Sequence, residues 1–263
     1  MISAQSLSAQ LQKVREVSPL IHNITNYVVM NNTANALLAV GASPVMAHAL
    51  EEVEDMVQIA SALVLNMGTL DRNWVKSMIL AGKKALDCET PIVFDPVGVG
   101  ATPYRTEVAH EILKAFHPTV IRGNASEIMA LCREDIVTKG VDSSADSNMA
   151  LQAAQQLAKE NHCVVVVSGQ QDIICDEKNT LFINNGHPMM AKVTGMGCTS
   201  TAMVATFVAV GGNTLRSASH AMSLMSIAGE LAVSQSSGPG SLQMNFIDKL
   251  YNITSSEIEA TFK

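Results

Sequence analysis

Residues 91–128 read "PIVFDPVGVGATPYRTEVAHEILKAFHPTVIRGNASEI", and their hydrophobic period switches between that of a strand and that of a helix. "PIVFDPVG" at 91–98 is a short apolar run closed by Pro and Gly, the pattern of a buried strand. Helical spacing follows from Tyr104 to Ala115, "TVIRGN" at 119–124 is a second strand, and a second helix begins at Ser126. The antiparallel alternative needs only a tight turn, whereas strands joined through a helix lie parallel, so this stretch predicts a parallel sheet with helices packed on it.

The same rhythm extends in both directions. Upstream, "AQSLSAQLQKVREV" at 4–17 places Leu7, Leu11 and Val14 on one face of an amphipathic helix. "PLIHNITNYVV" reads as a short strand entering a polar loop, followed by a helix near 31–39, a strand or turn at "GASPVMAH", and a helix with acids in its first turn at "EEVEDMVQIA". "ALVLNMGTL" is a buried strand ending at Gly68, and a helix spans 71–86. Downstream, a polar loop at 138–147 and a helix at 148–160 lead into "CVVVVSG", a four-valine strand. "DIICDEKNTLFINNG" predicts a hairpin turning at Asp176 to Asn179. No internal repeat, linker or low-complexity tract interrupts this series. The expectation is a single domain over residues 1–263, a three-layer α/β/α sandwich with a mostly parallel central sheet.

Composition narrows the function classes. The chain has 263 residues, 48% of them apolar, enough for a sizeable core. Its net charge is -7 and its 17 Lys and Arg are scattered, which argues against nucleic acid or an anionic membrane as partner and favours a small molecule. No apolar run approaches the roughly 20 residues of a membrane span, and no basic flank leads into an apolar N-terminal segment, so a cytoplasmic location is expected. Five cysteines (Cys88, Cys132, Cys163, Cys175, Cys198) lack the spacing of redox or zinc pairs. Cys88, Cys132, Cys163 and Cys175 read as small buried hydrophobes, and Trp74 as a packing residue.

The chemistry gathers at strand ends. Asn66 and Gly68, Asp95, Arg122 to Glu127, and Ser168 with Gly169 all close strands, at the edge of a parallel sheet where ligands bind. Asp95 precedes Pro96, which turns the backbone and leaves the carboxylate at that edge. Asn124 or Ser126 with Glu127 could simply cap a helix, worth about 1 kcal/mol. The functional reading is that Asp95 and Glu127 hold Mg²⁺ through waters, since that ion keeps much of its hydration shell. In "KVTGMGCTSTAMV" at 192–204, Gly195 and Gly197 precede a helix beginning near Cys198, an arrangement that gathers backbone N–H groups around an anion. A Walker A loop is excluded because its Lys-Ser/Thr pair is absent.

Together "HNITNYVVMNNTANALLAVGASPVM" at 22–46, "LVLNMGTL" at 63–70, "FDPVGVGA" at 94–101, "IRGNASEI" at 121–128 and "VTGMGCTS" at 193–200 resemble the ribokinase-like superfamily, and within it the hydroxyethylthiazole kinase family. The resemblance implies ATP-dependent, Mg²⁺-requiring phosphorylation of the primary alcohol of 4-methyl-5-(2-hydroxyethyl)thiazole, a salvage step toward thiamine diphosphate. By the same resemblance Met46 contacts the thiazole, Gly195 the substrate, and Arg122 and Ser168 the ATP, while the N–H groups of Gly195, Met196, Gly197 and Cys198 form the anion hole. Similar family members are homotrimers with thiazole sites between subunits, which would set Asn26 and the segment after it in a neighbour's pocket. Another superfamily kinase, acting on a pyrimidine or pyridoxal alcohol, is the alternative.

Where the wider superfamily has a proton-accepting aspartate, this chain has Cys198. A helix N-terminus lowers a thiol pKa, so Cys198 is expected to be a weak or auxiliary proton acceptor. A cysteine nucleophile would need a base, for which His22, His48 and His187 are available, and would leave Asp95 and Glu127 without a role. An eroded regulatory module is the non-catalytic option. The "SGPGS" loop near the C-terminus reads as a plain turn before a helix carrying Phe246, Leu250 and Ile253.

Overall fold

The computed structural model describes residues 2–132 and 145–263. Eight strands form one sheet: β1 (Leu20–Ile24), β2 (Ser43–Val45), β3 (Ala62–Asn66), β4 (Ile92–Asp95), β5 (Val120–Asn124), β6 (Val164–Ser168), β7 (Asp172–Cys175) and β8 (Thr180–Ile183). Their order is β2-β1-β3-β4-β5-β6-β7-β8; the pairs from β2 to β6 are parallel, and β7 and β8 close the sheet as the expected antiparallel hairpin. "GASPVMAH" supplies only the three-residue edge strand β2.

Alternation along each strand builds the two outer layers. Val64, Val93, Val120 and Val166 face α1 (Ala4–Val17), α2 (Met30–Val40) and four helices from the C-terminal third, α8 (Met196–Ala209), α9 (Thr214–Val233), α10 (Pro239–Asn252) and α11 (Ser255–Thr261). Leu63, Leu65, Phe94, Ile121 and Val165 face the opposite way, onto α3 (Val53–Ile59), α4 (Arg72–Asp87), α5 (Pro103–Ala115), α6 (Ala125–Cys132) and α7 (Ala145–Asn161). A fully buried side chain of this size contributes about 1.5–3 kcal/mol, so both faces are held by the strands' own pattern. The three-layer α/β/α sandwich with a mostly parallel sheet is therefore the fold. Of the loop expected at 138–147, positions up to 144 lie outside the described residues, and 145–147 open α7.

Local chemistry sets the helix ends. Asp71 accepts the N–H groups of Asn73 and Trp74 to start α4, and Thr102 with Pro103 behind it starts α5. Trp74 is buried and its ring stacks on His48 at 4.0 Å, so it packs as expected. Cys163, just before β6, and Cys175, at the end of β7, are buried, and burial pushes both thiols up to about 12. Cys88 departs from its reading: it ends α4 at the surface and is exposed, while Cys132 is half-buried. No described helix is long and apolar enough to cross a membrane.

Candidate active site

Strand order decides where the polar strand ends meet. The chain steps from β1 outward to β2 and then back past β1 to β3, so the crevice between β1 and β3 is the topological switch point of the parallel sheet. Asn26 follows β1 there, and Asn66 ends β3 opposite Asp95, its register partner on β4.

Asp95 is fully buried. Its Oδ2 accepts from Asn66 Nδ2 and from Thr201 Oγ1, both at 2.7 Å, while its Oδ1 is buried with no partner. Burial pushes this carboxyl up to about 6, against the opposing pull of the Arg122 guanidinium and the Thr201 bond, with Glu127 adding repulsion. Arg122 is 7% exposed; its Nη2 donates to Ser168 Oγ at 2.6 Å and its Nε is buried without a partner. Two charged groups of opposite sign thus each leave a polar atom unpaired in the same buried neighbourhood.

The third element is α8. Gly195 is its N-cap, with φ 84 in the left-handed region that a side chain disfavours, and it offers no side-chain cap. The helix therefore begins at Met196 rather than near Cys198, because the turn is completed by Gly195 alone. The N–H groups of residues 195–198 are the four that a helix start leaves unsatisfied; Thr199 N closes the first turn on Gly195 O at 2.8 Å. Gly197 faces Arg122, and a β-carbon there would stand 3.0 Å from Nη1.

Cys198 is half-buried, and its Sγ accepts from Asn26 Nδ2 at 3.4 Å. The expected lowering of its pKa is not what the site provides. Burial, then the Asp95 charge, raise this thiol above its ordinary value, and the bonds from Asn66 and Asn26 oppose them only in part. Among the described residues no histidine is hydrogen-bonded to Cys198. His22 Nε2 lies 2.8 Å from Ala47 O, His48 stacks on Trp74, and His187 caps a turn, so the nucleophile reading finds no base.

Glu127 caps its helix, as the simpler reading of its motif expects. Its Oε2 accepts from Asn124 N at 2.8 Å while Asn124 Oδ1 accepts from Glu127 N at 2.9 Å, a reciprocal cap on α6. Its Oε1 also takes Gly98 N at 2.9 Å, tying the turn after Asp95 to the end of β5. Arg105 secures the other side of that turn, donating to the carbonyls of Val97, Met67 and Gly68 at 2.7, 2.6 and 2.9 Å.

Two positions expected to contact substrate, Met46 and Asn26, are placed differently from the rest. Met46 is half-buried beyond the edge strand β2, outside the Asp95–Cys198 cluster. Asn26 is only 4% exposed and its amide is taken up within its own chain by Asn66 and Cys198, so it is the following Tyr27 and Val28, 59% and 70% exposed, that face outward. Sequence pattern alone does not single out Thr201, although it lies three residues past Cys198 and so on the same face of α8.

With this geometry in place, the chain can be set beside known proteins. The profile of the hydroxyethylthiazole kinase family matches residues 11–256. A hydroxyethylthiazole kinase of Syntrophus aciditrophicus is 52% identical over 258 residues, covering 98% of this chain and 96% of that protein. The structure of the hydroxyethylthiazole kinase protein from Pyrococcus horikoshii superposes with a TM-score of 0.91 at 42% identity, with 98% of each chain covered. A ribokinase-like superfamily protein from Enterococcus faecalis shares the fold alone, with a TM-score of 0.68 at 12% identity over 95% of this chain and 94% of that one. A buried acid and arginine on the strands next to the switch point, set against a glycine-led helix start, thus occur in a chain that belongs to the hydroxyethylthiazole kinase family.

Proposed function

We propose that the protein transfers the γ-phosphoryl group of ATP to the primary hydroxyl of 4-methyl-5-(2-hydroxyethyl)thiazole, a salvage step toward thiamine diphosphate. The observation that carries the reading beyond family membership is the pair of unpaired buried atoms, Asp95 Oδ1 and Arg122 Nε, beside four uncapped N–H groups at the start of α8. An anion seated on the helix start with a cation near Asp95 would satisfy all of them, and ATP with Mg²⁺ supplies both charges.

The residues fit Mg²⁺. Asp95 Oδ1 is a free acceptor, and Glu127, whose charge Asp95 feels, keeps one lone pair on each oxygen for water. Asp95 and Glu127 would hold the ion through waters, and when bound it would neutralise charge on the β- and γ-phosphates. The chain's own residues do the rest. N–H groups 195–198 stabilise the γ-phosphoryl oxygens, and Arg122, oriented by Ser168, balances the triphosphate charge. Met46 and Gly195 contact the thiazole side. The substrate hydroxyl bonds to γ-phosphorus as the bond to ADP breaks, and its proton passes to Cys198 when that sulfur is ionised. Because burial keeps the thiol mostly protonated near neutral pH, charge stabilisation carries most of the rate and Cys198 is auxiliary.

The reading extends to a homotrimer in which the outward Tyr27 and Val28 enter a neighbouring subunit's pocket, and to the cytoplasm, where ATP is available. Phosphorylation of hydroxyethylthiazole, hydroxymethylpyrimidine and pyridoxal, compared in one ADP-release assay, tests the substrate. A clear preference for the thiazole is expected, and no preference would sink the reading. In the same assay Cys198→Ala is expected to lose about tenfold in kcat, or 1.4 kcal/mol, with Cys198→Asp active. Inactivity of both variants would contradict an auxiliary role.

A further inference from the structure

Asn26 and Asn66 form an amide pair across the switch point, and the neighbours of Asn66 determine which way both amides face. Asn66 Oδ1 lies 2.9 Å from Gly68 N, and a backbone N–H only donates, so that end of the amide is the oxygen. Its Nδ2 then meets the Asp95 carboxylate, an acceptor, at 2.7 Å. Two independent neighbours demand the same orientation. The Asn66 oxygen also lies 2.8 Å from the Asn26 amide, which must therefore present its own Nδ2. The second hydrogen of that nitrogen is left for Cys198 Sγ, 3.4 Å away, within hydrogen-bond range of sulfur. Gly68 also makes room for the pair, because a β-carbon there would run into the Asn26 amide.

We propose that Asn26 is a positioning residue for Cys198, its N–H locked onto the sulfur by the chain of bonds from the Gly68 amide through Asn66. The assignment rests on the kinase reading for its consequence in turnover, but not for its geometry. In that setting the Asn26 hydrogen bond stabilises the charged sulfur before the alcohol proton arrives and holds the sulfur in one rotamer while the proton transfers from oxygen to sulfur. Burial and Asp95 disfavour the charged sulfur, and the bonds from Asn66 and Asn26, with the Arg122 charge behind them, oppose that. Asn26 thereby serves its own chain's proton acceptor instead of a neighbouring subunit's thiazole.

A double-mutant cycle reads the coupling. Asn26→Ala is expected to lower kcat about tenfold, with the KM for hydroxyethylthiazole within about twofold of wild type. In a Cys198→Ala background the same change is expected to cost less than about twofold. Equal losses in both backgrounds would mean that Asn26 acts on the substrate or the fold, and the proposal would fall. A second readout needs no turnover: alkylation of Cys198 by iodoacetamide at pH 8, followed on its own peptide by mass spectrometry so that the exposed Cys88 does not contribute. Asn26→Leu keeps roughly the same shape, removes the donor without adding charge and also serves if the alanine variant does not fold. It is expected to slow alkylation about fivefold, and an unchanged or faster rate would overturn the proposal. Should wild type fail to phosphorylate the thiazole alcohol while alkylation still slows, the kinase reading fails and the hydrogen-bond assignment stands.

Discussion

The two edges of the sheet carry similar residue types to opposite effect. Opposite the candidate site, a cavity of about 590 Å³ opens where β5 and β6 begin, lined by His117, Thr119, His162, Asp176, Glu177 and Lys178. Its two acids are spent on a neighbouring side chain or on the backbone. His162 Nδ1 lies 2.6 Å from Glu177 Oε1, and Asp176 Oδ1 accepts the N–H groups of Lys178 and Asn179 at 2.8 and 2.7 Å. At the other edge Asp95 Oδ1 and Arg122 Nε are buried and unpaired. A buried polar atom without a partner costs about 1–3 kcal/mol, more when charged, and a fold retains such a cost where a ligand will remove it. Neutral groups such as Ser8, His110 and Ser223 leave buried atoms unpaired elsewhere, so it is the meeting of an unpaired acid and an unpaired arginine at one edge that singles out the candidate site.

The comparison is tested most severely by Asp95→Asn. The amide carbonyl can still accept from Asn66 and Thr201, so the fold is kept while the free anionic oxygen is lost. A fall in kcat/KM of about 10²- to 10³-fold is expected, with little loss of stability in urea titration. Activity within threefold of wild type would remove Asp95 from the chemistry.

Asp172 sharpens the contrast from within the active edge. It is also buried, and burial also pushes it up to about 6, but its Oδ1 accepts Gly169 N at 3.0 Å, which makes it a structural acid. Its folded pKa lies above the unfolded value near 3.8, so between those values the unfolded chain ionises while the folded one keeps its proton. Stability from this group is thus highest below about 3.8, falls as pH rises toward about 6, and is level beyond. Asp172→Asn removes the cost. Its urea stability relative to wild type is expected to improve by on the order of 2 kcal/mol between pH 4 and pH 7.5. A difference that does not move with pH would show that Asp172 does not titrate in that window.

How much of this was readable in the chain depends on how local each feature is. The alternation Leu63, Val64, Leu65 and the Asp-Pro strand end at 95–96 are properties of neighbouring residues, so the layers and the position of Asp95 could be foreseen. Strand order is not local. Nothing in "HNITN" or "LVLNMG" says that β1 and β3 are neighbours, and without that Asn26 could not be matched to Asn66 or Cys198. Thr201 meets Asp95 across 106 positions, and only its helical spacing from Cys198 hinted at a shared face. α8 starts at Met196, two residues before the expected neighbourhood of Cys198, because the left-handed turn is completed by Gly195, while Gly197 already belongs to the helix.

That distinction makes Gly197→Ala informative. Alanine is the better helix former, by about 1 kcal/mol in a helix interior and less in a first turn. The same methyl group would stand 3.0 and 3.3 Å from the two terminal nitrogens of Arg122, displacing the guanidinium from Ser168. Stability and activity should therefore move in opposite directions: an unchanged or slightly raised melting temperature, and kcat/KM lower by about tenfold, or 1.4 kcal/mol. Loss of both together would mean that the glycine serves packing and not the approach of Arg122.

The smallest effect is expected at the other edge, from Glu177→Gln. His162 and Glu177 are 78% and 41% exposed at their side chains, so their attraction is screened by water and offset by the entropy of holding them together. The hairpin turn does not depend on Glu177, because its backbone N–H groups bond to Asp176. The change should leave stability within about 0.5 kcal/mol and kcat/KM within twofold. A tenfold fall in kcat/KM at constant stability would contradict the contrast between the edges, since it would mean that the cavity carries function without leaving any buried polar atom unpaired.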